Sequence, residues 1–285
     1  MAEDPGVRGA RLALVAMLRD LALGAPAFFI YIGKAILPFD LSIIPTIEDS
    51  AVIYGIASVL IVISGLYFSK KRRYNFVLLG LVWFLSFTAP AFIRPVSAVS
   101  AIFPESRIYL PILGIFIILG EIDAVKNVTF RNARVLFSVL AITGLLFCMS
   151  ISYSGRFQNA VEFWEYAAKR SPHSALAQAN LGCVYDMLLR CDEAEERFKK
   201  ALALNPRQRY AHNSLGCIYE REGQAEKAEA EYLIEIENTP YYGKARVNLA
   251  NLYFRQGKEE KAADLWEQAL RINPEDMYVR KMLIS

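Results

Sequence analysis

Long apolar runs dominate the first half of the chain, whereas charged positions are spread densely through the second half. Four of these runs are apolar enough to predict helices that cross about 30 Å of hydrocarbon. They are residues 51–69, 75–93, 108–122 and 135–153. The third run is short and would need help from its flanks. The pattern therefore predicts a multi-spanning helical membrane domain at the beginning of the chain.

The charge content changes sharply at the end of the fourth run. Residues 1–153 carry 13 Lys and Arg against 9 Asp and Glu, whereas residues 154–285 carry 19 against 20. A sparsely charged part followed by a densely charged part predicts two domains on the usual length prior. We therefore expect a membrane domain over 1–153 and a soluble domain over 154–285.

Short basic segments predict the orientation of the membrane domain. The sequence KKRR at 70–73 and the basic stretch 123–134 lie between consecutive spans, where Lys and Arg favour the cytoplasmic side. Residues 94–107 and everything after 153 then face outside. We expect an integral membrane protein whose soluble domain is extracytoplasmic. That compartment is the bacterial periplasm or exterior, or the lumen of the endoplasmic reticulum.

Residues 10–37 are apolar but interrupted by charged residues, Gly and Pro. They predict either an additional spanning helix or an amphipathic helix that lies in the membrane interface. Both alternatives remain open from the sequence.

A period of 34 residues organises the second half of the chain. LGCVY begins at Leu181, LGCIY at Leu215 and LANLY at Leu249. The same spacing relates three further sets of residues: Pro172, Pro206, Pro240 and Pro274; Ala194, Ala228 and Ala262; and Phe198, Tyr232 and Trp266. This period and residue pattern is the tetratricopeptide signature. The small residues predict close helix crossings, and the aromatics are expected to fill the space between repeats.

The period divides the soluble domain into stacked helical hairpins. The predicted units are a half-repeat at 157–174, repeats at 175–208, 209–242 and 243–276, and a partial helix at 277–285. The fold class is therefore all-α, a membrane helical domain followed by a helix-turn-helix solenoid. Such solenoids present a groove lined by their first helices. The residues expected there suit the binding of a protein or peptide: Tyr210, Asn213, Glu220, Lys244, Asn251 and Phe254.

Composition argues against several other functions. The formal net charge of +3 is not gathered into a basic stripe, so no nucleic-acid partner is expected. The four cysteines form no CxxC pair, and no metal site is predicted. The repeat region holds both histidines but no paired nucleophile, and its residues do not indicate enzymatic chemistry.

Three stretches of the membrane domain carry a family resemblance. YIGKAILPFDLSIIP (31–45), GLVWFLSFTAP (80–90) and ESRIYLPILGIFIILGEI (105–122), followed by the repeat array, resemble the C-terminal part of membrane-bound glycosyltransferases of the C superfamily. The similar members are transmembrane-and-tetratricopeptide proteins of the O-mannosyltransferase-like type. The resemblance extends over nearly the whole chain from about residue 31.

This resemblance implies a donor site and a membrane-bound substrate. The family takes its sugar from a polyprenyl-phosphate donor on the outer face of the membrane, and no other cofactor is identified. Arg107, in the RIYLP match, would contact the donor phosphate, with Lys34 supporting it and Glu105 orienting it. The family's catalytic acidic pair lies in an early outside loop, for which this sequence has no counterpart. The expected partners are membrane lipid and a protein or peptide in the repeat groove.

Two functions follow as expectations. The chain resembles the distal part of a lipid-phosphosugar-dependent protein glycosyltransferase, whose repeats would bind the acceptor or a partner protein. The alternative is a membrane-tethered scaffold for protein–protein interaction without catalysis.

Overall fold

The computed structural model describes residue 46, residues 48–92, 109–128 and 159–284, and isolated positions within 26–36 and 137–148. Contacts divide the chain into two compact units. The first takes residues 1–159 together with 169–173, and the second takes 160–168 and 174–285. Within the described residues all regular secondary structure is α-helical, as the sequence predicts. The division falls near the predicted boundary at residue 153.

The first unit contains helices at three of the four apolar runs and one short helix in the basic segment 123–134, where none was expected. They are α1 (Val52–Phe68), α2 (Tyr74–Phe92), α3 (Tyr109–Leu119) and the short α4 (Asp123–Lys126). The run at 135–153 and the segment 10–37 lie outside the described residues, apart from isolated helical positions. The third predicted span is shorter than expected, because α3 ends at Leu119 and Gly120 begins a turn.

Among the described residues, no helix is both long enough and apolar enough to cross a membrane. The prediction of spans is thus unsupported by this part of the chain.

Helices α2 and α3 of the first unit approach each other at two glycines. A Cβ atom on Gly80 would lie 2.6 Å from the carbonyl oxygen of Gly114, so any side chain there would push the helices apart. Trp83 fixes the same pair of helices, because its indole N–H donates to the carbonyl of Leu110 at 2.9 Å. Phe84 and Ile115 are buried in the resulting contact.

One end of the first unit is a polar cluster around the KKRR sequence. Glu121 is almost fully buried and binds the guanidinium of Arg73 at 2.8 Å and the ammonium of Lys126 at 2.5 Å. Arg72 donates to three carbonyls at the end of α1, beginning with that of Leu66 at 2.6 Å. The side chains of Arg72 and Arg73 are therefore both bound to other residues of the first unit.

The second unit consists of paired helices that follow the 34-residue period. They are α5 (Ala160–Arg170), α6 (Ala175–Met187), α7 (Cys191–Leu204), α8 (Ala211–Arg221), α9 (Ala225–Asn238), α10 (Gly243–Arg255), α11 (Glu259–Ile272) and α12 (Met277–Ile284). Helices α6, α8 and α10 are the first helices of the repeats, and α7, α9 and α11 are the second helices. Helix α5 is the second helix of the half-repeat. Each first helix packs on its own second helix, and neighbouring repeats stack.

The periodic residues occupy the helix crossings. A Cβ on Gly216 would lie 2.5 Å from Cε1 of Tyr232, and one on Gly182 would lie 3.0 Å from Cε1 of Phe198. The expectation that glycine permits a close crossing is confirmed. The aromatics were expected between repeats, but each of these two rings packs against the glycine of its own repeat. The reason is that the missing side chain leaves room for a ring directly across the hairpin.

Candidate functional site

Tyrosine–glutamate hydrogen bonds set the stacking of the repeats. Three first-helix tyrosines at the 34-residue spacing each donate to a carboxylate of the preceding second helix. The pairs are Tyr185 to Glu165 at 2.9 Å, Tyr219 to Glu195 at 2.9 Å and Tyr253 to Glu229 at 2.7 Å. Neighbouring repeats are thereby held in one register, which fixes the positions of the first helices.

Ion pairs connect one first helix to the next on the predicted groove side. Arg221 of α8 pairs with Asp186 of α6, and Arg255 of α10 pairs with Glu220 of α8. Glu220 also accepts a hydrogen bond from the hydroxyl of Tyr232 at 2.8 Å. Glu220, predicted to meet a ligand, is thus already bound by two side chains of the repeat unit.

Two of the predicted groove amides are also bound within the repeat unit. Asn213 is only 8% exposed, and its side-chain oxygen accepts a hydrogen bond from Asn248 at 2.9 Å. The side-chain oxygen of Asn251 accepts from Trp266 at 3.2 Å and from Tyr278 at 3.3 Å. Asn213 and Asn251 therefore hold helices together, which residue type and spacing alone did not reveal.

Tyr210 is held at the start of α8 by a buried carboxylate. Its backbone is left-handed, with φ of 68°, which is rare for a residue other than glycine. Glu235, 1% exposed, accepts the backbone N–H groups of Tyr210 at 3.1 Å and Asn213 at 3.3 Å, and the hydroxyl of Thr239 at 2.8 Å. A carboxylate from the second helix thus caps the first helix and stabilises the strained turn.

The sequence shows that Glu235 is unusual when it is compared with the equivalent positions of the other repeats. Its counterparts one period away on either side are Ala201 and Ala269, both buried. A carboxylate at a position where the other repeats bury alanine needs hydrogen-bond donors. The N–H groups at the start of α8 supply them.

Three of the predicted residues remain accessible on the first helices. Tyr210 is 41% exposed, and its ring packs against Tyr242, with ring centroids 4.6 Å apart. Phe254 is 44% exposed beside Trp266. Lys244 is exposed, and within the described residues it makes no ion pair. These three side chains offer two aromatic surfaces and one positive charge.

His212 is a titratable group beside this surface. Its Nδ1 lies 2.6 Å from a carboxylate oxygen of Glu231, and its Nε2 lies 3.2 Å from the carbonyl oxygen of Pro206. Both partners are acceptors, so only the doubly protonated imidazolium can donate to both. Burial lowers the pKa of His212, but the hydrogen bond and charge of Glu231, together with Pro206 and the charge of Glu235, outweigh burial and raise the pKa.

The described residues offer little else for chemistry. Burial raises the pKa of the Cys183 and Cys217 thiols, which makes both weak nucleophiles. In the described part of the chain, no group of three or more His, Cys, Asp and Glu side chains is arranged to hold a metal ion. The predicted donor-phosphate residues Lys34, Glu105 and Arg107 lie outside the described residues, and their role stays a prediction.

Comparison with known proteins identifies the repeats. Residues 183–243 and 243–276 each match a family described as tetratricopeptide repeat. The comparison with curated proteins finds no match.

Several solved structures resemble the repeat unit. The first TPR of Spaghetti (RPAP3), bound to the HSP90 peptide SRMEEVD, is 22% identical, covering 39% of this chain and 88% of that one, with a TM-score of 0.38. The Pseudomonas aeruginosa pilF structure is 24% identical over 49% of this chain and 63% of its own, with a TM-score of 0.41. MamA from Desulfovibrio magneticus RS-1 is 19% identical over 43% and 70%, with a TM-score of 0.39.

These likenesses concern the fold alone. The 34-residue period, the helical hairpins and the two family matches agree with one another. The chain therefore contains tetratricopeptide repeats.

Proposed function

We propose that the repeat unit is a protein-interaction module that holds an extended peptide segment of a partner along α6, α8 and α10. One observation carries this proposal. The polar side chains between the first helices satisfy one another, whereas Tyr210, Lys244 and Phe254 remain exposed beside them. Lys244 is one helical turn from Asn248 and therefore on the same side of α10 as that contact to α8.

The fixed position of Tyr210 supports binding at low entropic cost. Its backbone is capped by Glu235, and its ring contacts both Tyr242 and the guanidinium of Arg209, 4.9 Å from the ring centroid. A side chain already held in place loses little freedom when a ligand arrives. Exposed aromatics of this kind often supply most of the binding energy at an interface.

The charge of this surface favours a ligand with an acidic residue. Asp186 and Glu220 are paired with Arg221 and Arg255, and their charges are largely cancelled. Lys244 adds a positive charge beside them. The ligand we propose is an extended peptide with an apolar side chain to meet Tyr210 or Phe254 and a carboxylate to meet Lys244.

Selection from a displayed peptide library tests this function. The full chain should enrich peptides that bind with micromolar affinity or better. Replacement of Lys244 and Phe254 by Ala should weaken their binding about tenfold or more. Leu233→Ala removes an exposed apolar side chain from the second helix α9 and should leave affinity unchanged. No enrichment, or equal losses in the two variants, would contradict the proposal.

A second candidate function is that of a membrane-bound glycosyltransferase of the type the sequence resembles. One observation favours its membrane setting: helices α1 and α2 expose large apolar side chains on several sides, among them Ile53, Leu60, Ile61, Leu78, Leu79 and Val82. Lipid is a solvent that would cover such faces, with the repeat unit then extracytoplasmic by the topology of the basic segments.

Vesicle flotation and a transfer assay test the two parts of this candidate separately. The full chain should float with phospholipid vesicles and resist extraction by high salt. The purified protein, alone or with the product of a neighbouring gene, should transfer sugar from a polyprenyl-phosphate donor. Arg107→Ala should abolish transfer without changing flotation. Flotation without transfer would leave a membrane-tethered scaffold as the function.

A further inference from the structure

An apolar crevice opens in the first unit between α1, α2 and α3. Its volume is about 300 Å³, which lies at the lower end of ligand-holding cavities. One side of each helix lines the crevice, and two residues of the 26–36 segment complete the lining. The lining is wholly apolar and includes Val62 and Leu66 of α1, Val77 and Phe84 of α2, and Ile115 of α3.

The crevice ends beside a concentration of positive charge. Leu66 and Val77 each lie about one helical turn from the connection 69–73 that joins α1 to α2. That connection contains the KKRR sequence. The apolar space and the basic turn are therefore continuous at this end of the unit.

Two of the cations at this end remain available to a ligand. Arg72 and Arg73 are bound to helix carbonyls and to Glu121. Lys70 and Lys71 are exposed, and in the described part of the chain their ammonium groups have no ion-pair partner. Their backbone N–H groups donate to the carboxylate of Asp123 at 2.7 Å and 3.3 Å, and the carbonyl oxygen of Lys71 accepts from the ammonium of Lys126 at 2.9 Å.

We infer that this crevice binds one acyl chain of an anionic membrane phospholipid, with the phosphate at Lys70 and Lys71. The apolar lining would exclude the polar head and accept the chain. The two ammonium groups, of Lys70 and Lys71, would select a negative head over a zwitterionic one. Binding one chain from a bilayer needs no large complementary surface. A second copy of the protein would need about 800 Å² of each partner to form a stable contact.

This inference rests on the second candidate function, in which the first unit contacts membrane lipid. It adds a preference for an anionic headgroup, which contact with lipid alone does not require. The test is native mass spectrometry of the full chain in non-ionic detergent, with phosphatidylglycerol or phosphatidylcholine added. We expect one retained phosphatidylglycerol, bound about tenfold more tightly than phosphatidylcholine. Lys70→Gln with Lys71→Gln should bring the two lipids to equal retention.

A further variant tests the contact with the acyl chain, and a control variant tests whether the effect is specific to Lys70 and Lys71. Val62→Trp should fill the crevice and reduce the retention of both lipids, with an unchanged helical circular dichroism spectrum showing that the unit still folds. Lys200→Gln with Lys281→Gln removes two exposed lysines of the repeat unit and should change nothing. Equal retention of the two lipids by the unaltered chain would overturn the inference, even where vesicle flotation succeeds. So would a dimer that Val62→Trp abolishes.

Discussion

The carboxylate of Glu235 accepts the backbone N–H of Tyr210 at 3.1 Å and holds that residue in a left-handed conformation. This hydrogen bond joins the second helix of one repeat to the start of its first helix. It places an exposed aromatic ring where the proposed peptide would lie. Stability and binding are therefore coupled at this position.

Removal of this carboxylate should destabilise the protein. Glu235→Ala reproduces the residue found one period away, but leaves the N–H groups of Tyr210 and Asn213 without this acceptor. We expect a loss of about 1–3 kcal/mol in the free energy of unfolding, measured by urea denaturation. Glu237→Ala, at an exposed position of the same helix, should change it by less than about 0.5 kcal/mol. Equal effects of the two substitutions would refute the capping role.

Leu189 occupies a turn position that favours glycine. Its φ is 59°, and the equivalent residues of the next two repeats are Gly223 and Gly257, with φ of 75° and 74°. All three donate the same backbone hydrogen bond to the end of the first helix. Leu189→Gly should therefore stabilise the protein, by about 0.5–1 kcal/mol after the greater entropy of glycine in the unfolded chain is allowed for.

The matched substitution is Gly257→Ala, which places a side chain in open space at the same backbone conformation. It should destabilise the protein by about 1 kcal/mol in the same denaturation experiment. A destabilising Leu189→Gly would show that the exposed leucine makes a contact worth more than its backbone strain.

His212 should make stability depend on pH. Its pKa in the folded state lies above the ordinary value of 6.5, because Glu231 favours the imidazolium. The folded state therefore holds the proton more tightly than the unfolded state. The stabilisation is fully present below the unfolded pKa and is lost as pH rises through the folded pKa.

A comparison of variants across pH isolates this effect. His212→Gln should cost about 1 kcal/mol at pH 5.5 and less at pH 8.5, as measured by chemical denaturation. Glu231→Gln keeps a hydrogen-bond acceptor but removes the charge and should flatten the dependence. A constant difference between wild type and His212→Gln at both pH values would exclude the imidazolium pair.

The repeat fold was predictable because its determinants are local and periodic. Gly182, Gly216 and the buried alanines report helix crossings that repeat every 34 residues, and each crossing lies within one hairpin. The accessible groove residues were harder to predict. Asn213, Glu220 and Asn251 have the right helical positions, but partners on neighbouring helices occupy their side chains. Those contacts depend on distances between helices that spacing does not encode.

The first unit was less predictable for a related reason. Apolar runs located α1 and α2 to within a residue or two, since hydrophobicity alone marks them. Hydrophobicity does not fix where α3 ends. The helix stops before the turn 120–122, where Glu121 forms an ion pair with Arg73. Glu121 reads as an isolated charge in the sequence, and its two cationic partners become neighbours only through folding.

Photo-crosslinking tests the central claim, that the first helices of the repeat unit bind an extended peptide. A photoreactive phenylalanine analogue replaces Phe254 in one protein and Leu233, on the second helix α9, in another. With a library-selected peptide present at saturation, we predict a crosslinked product from position 254 only, lost when unlabelled peptide competes. Crosslinking from position 233 alone, or equally from both positions, would contradict binding along the first helices.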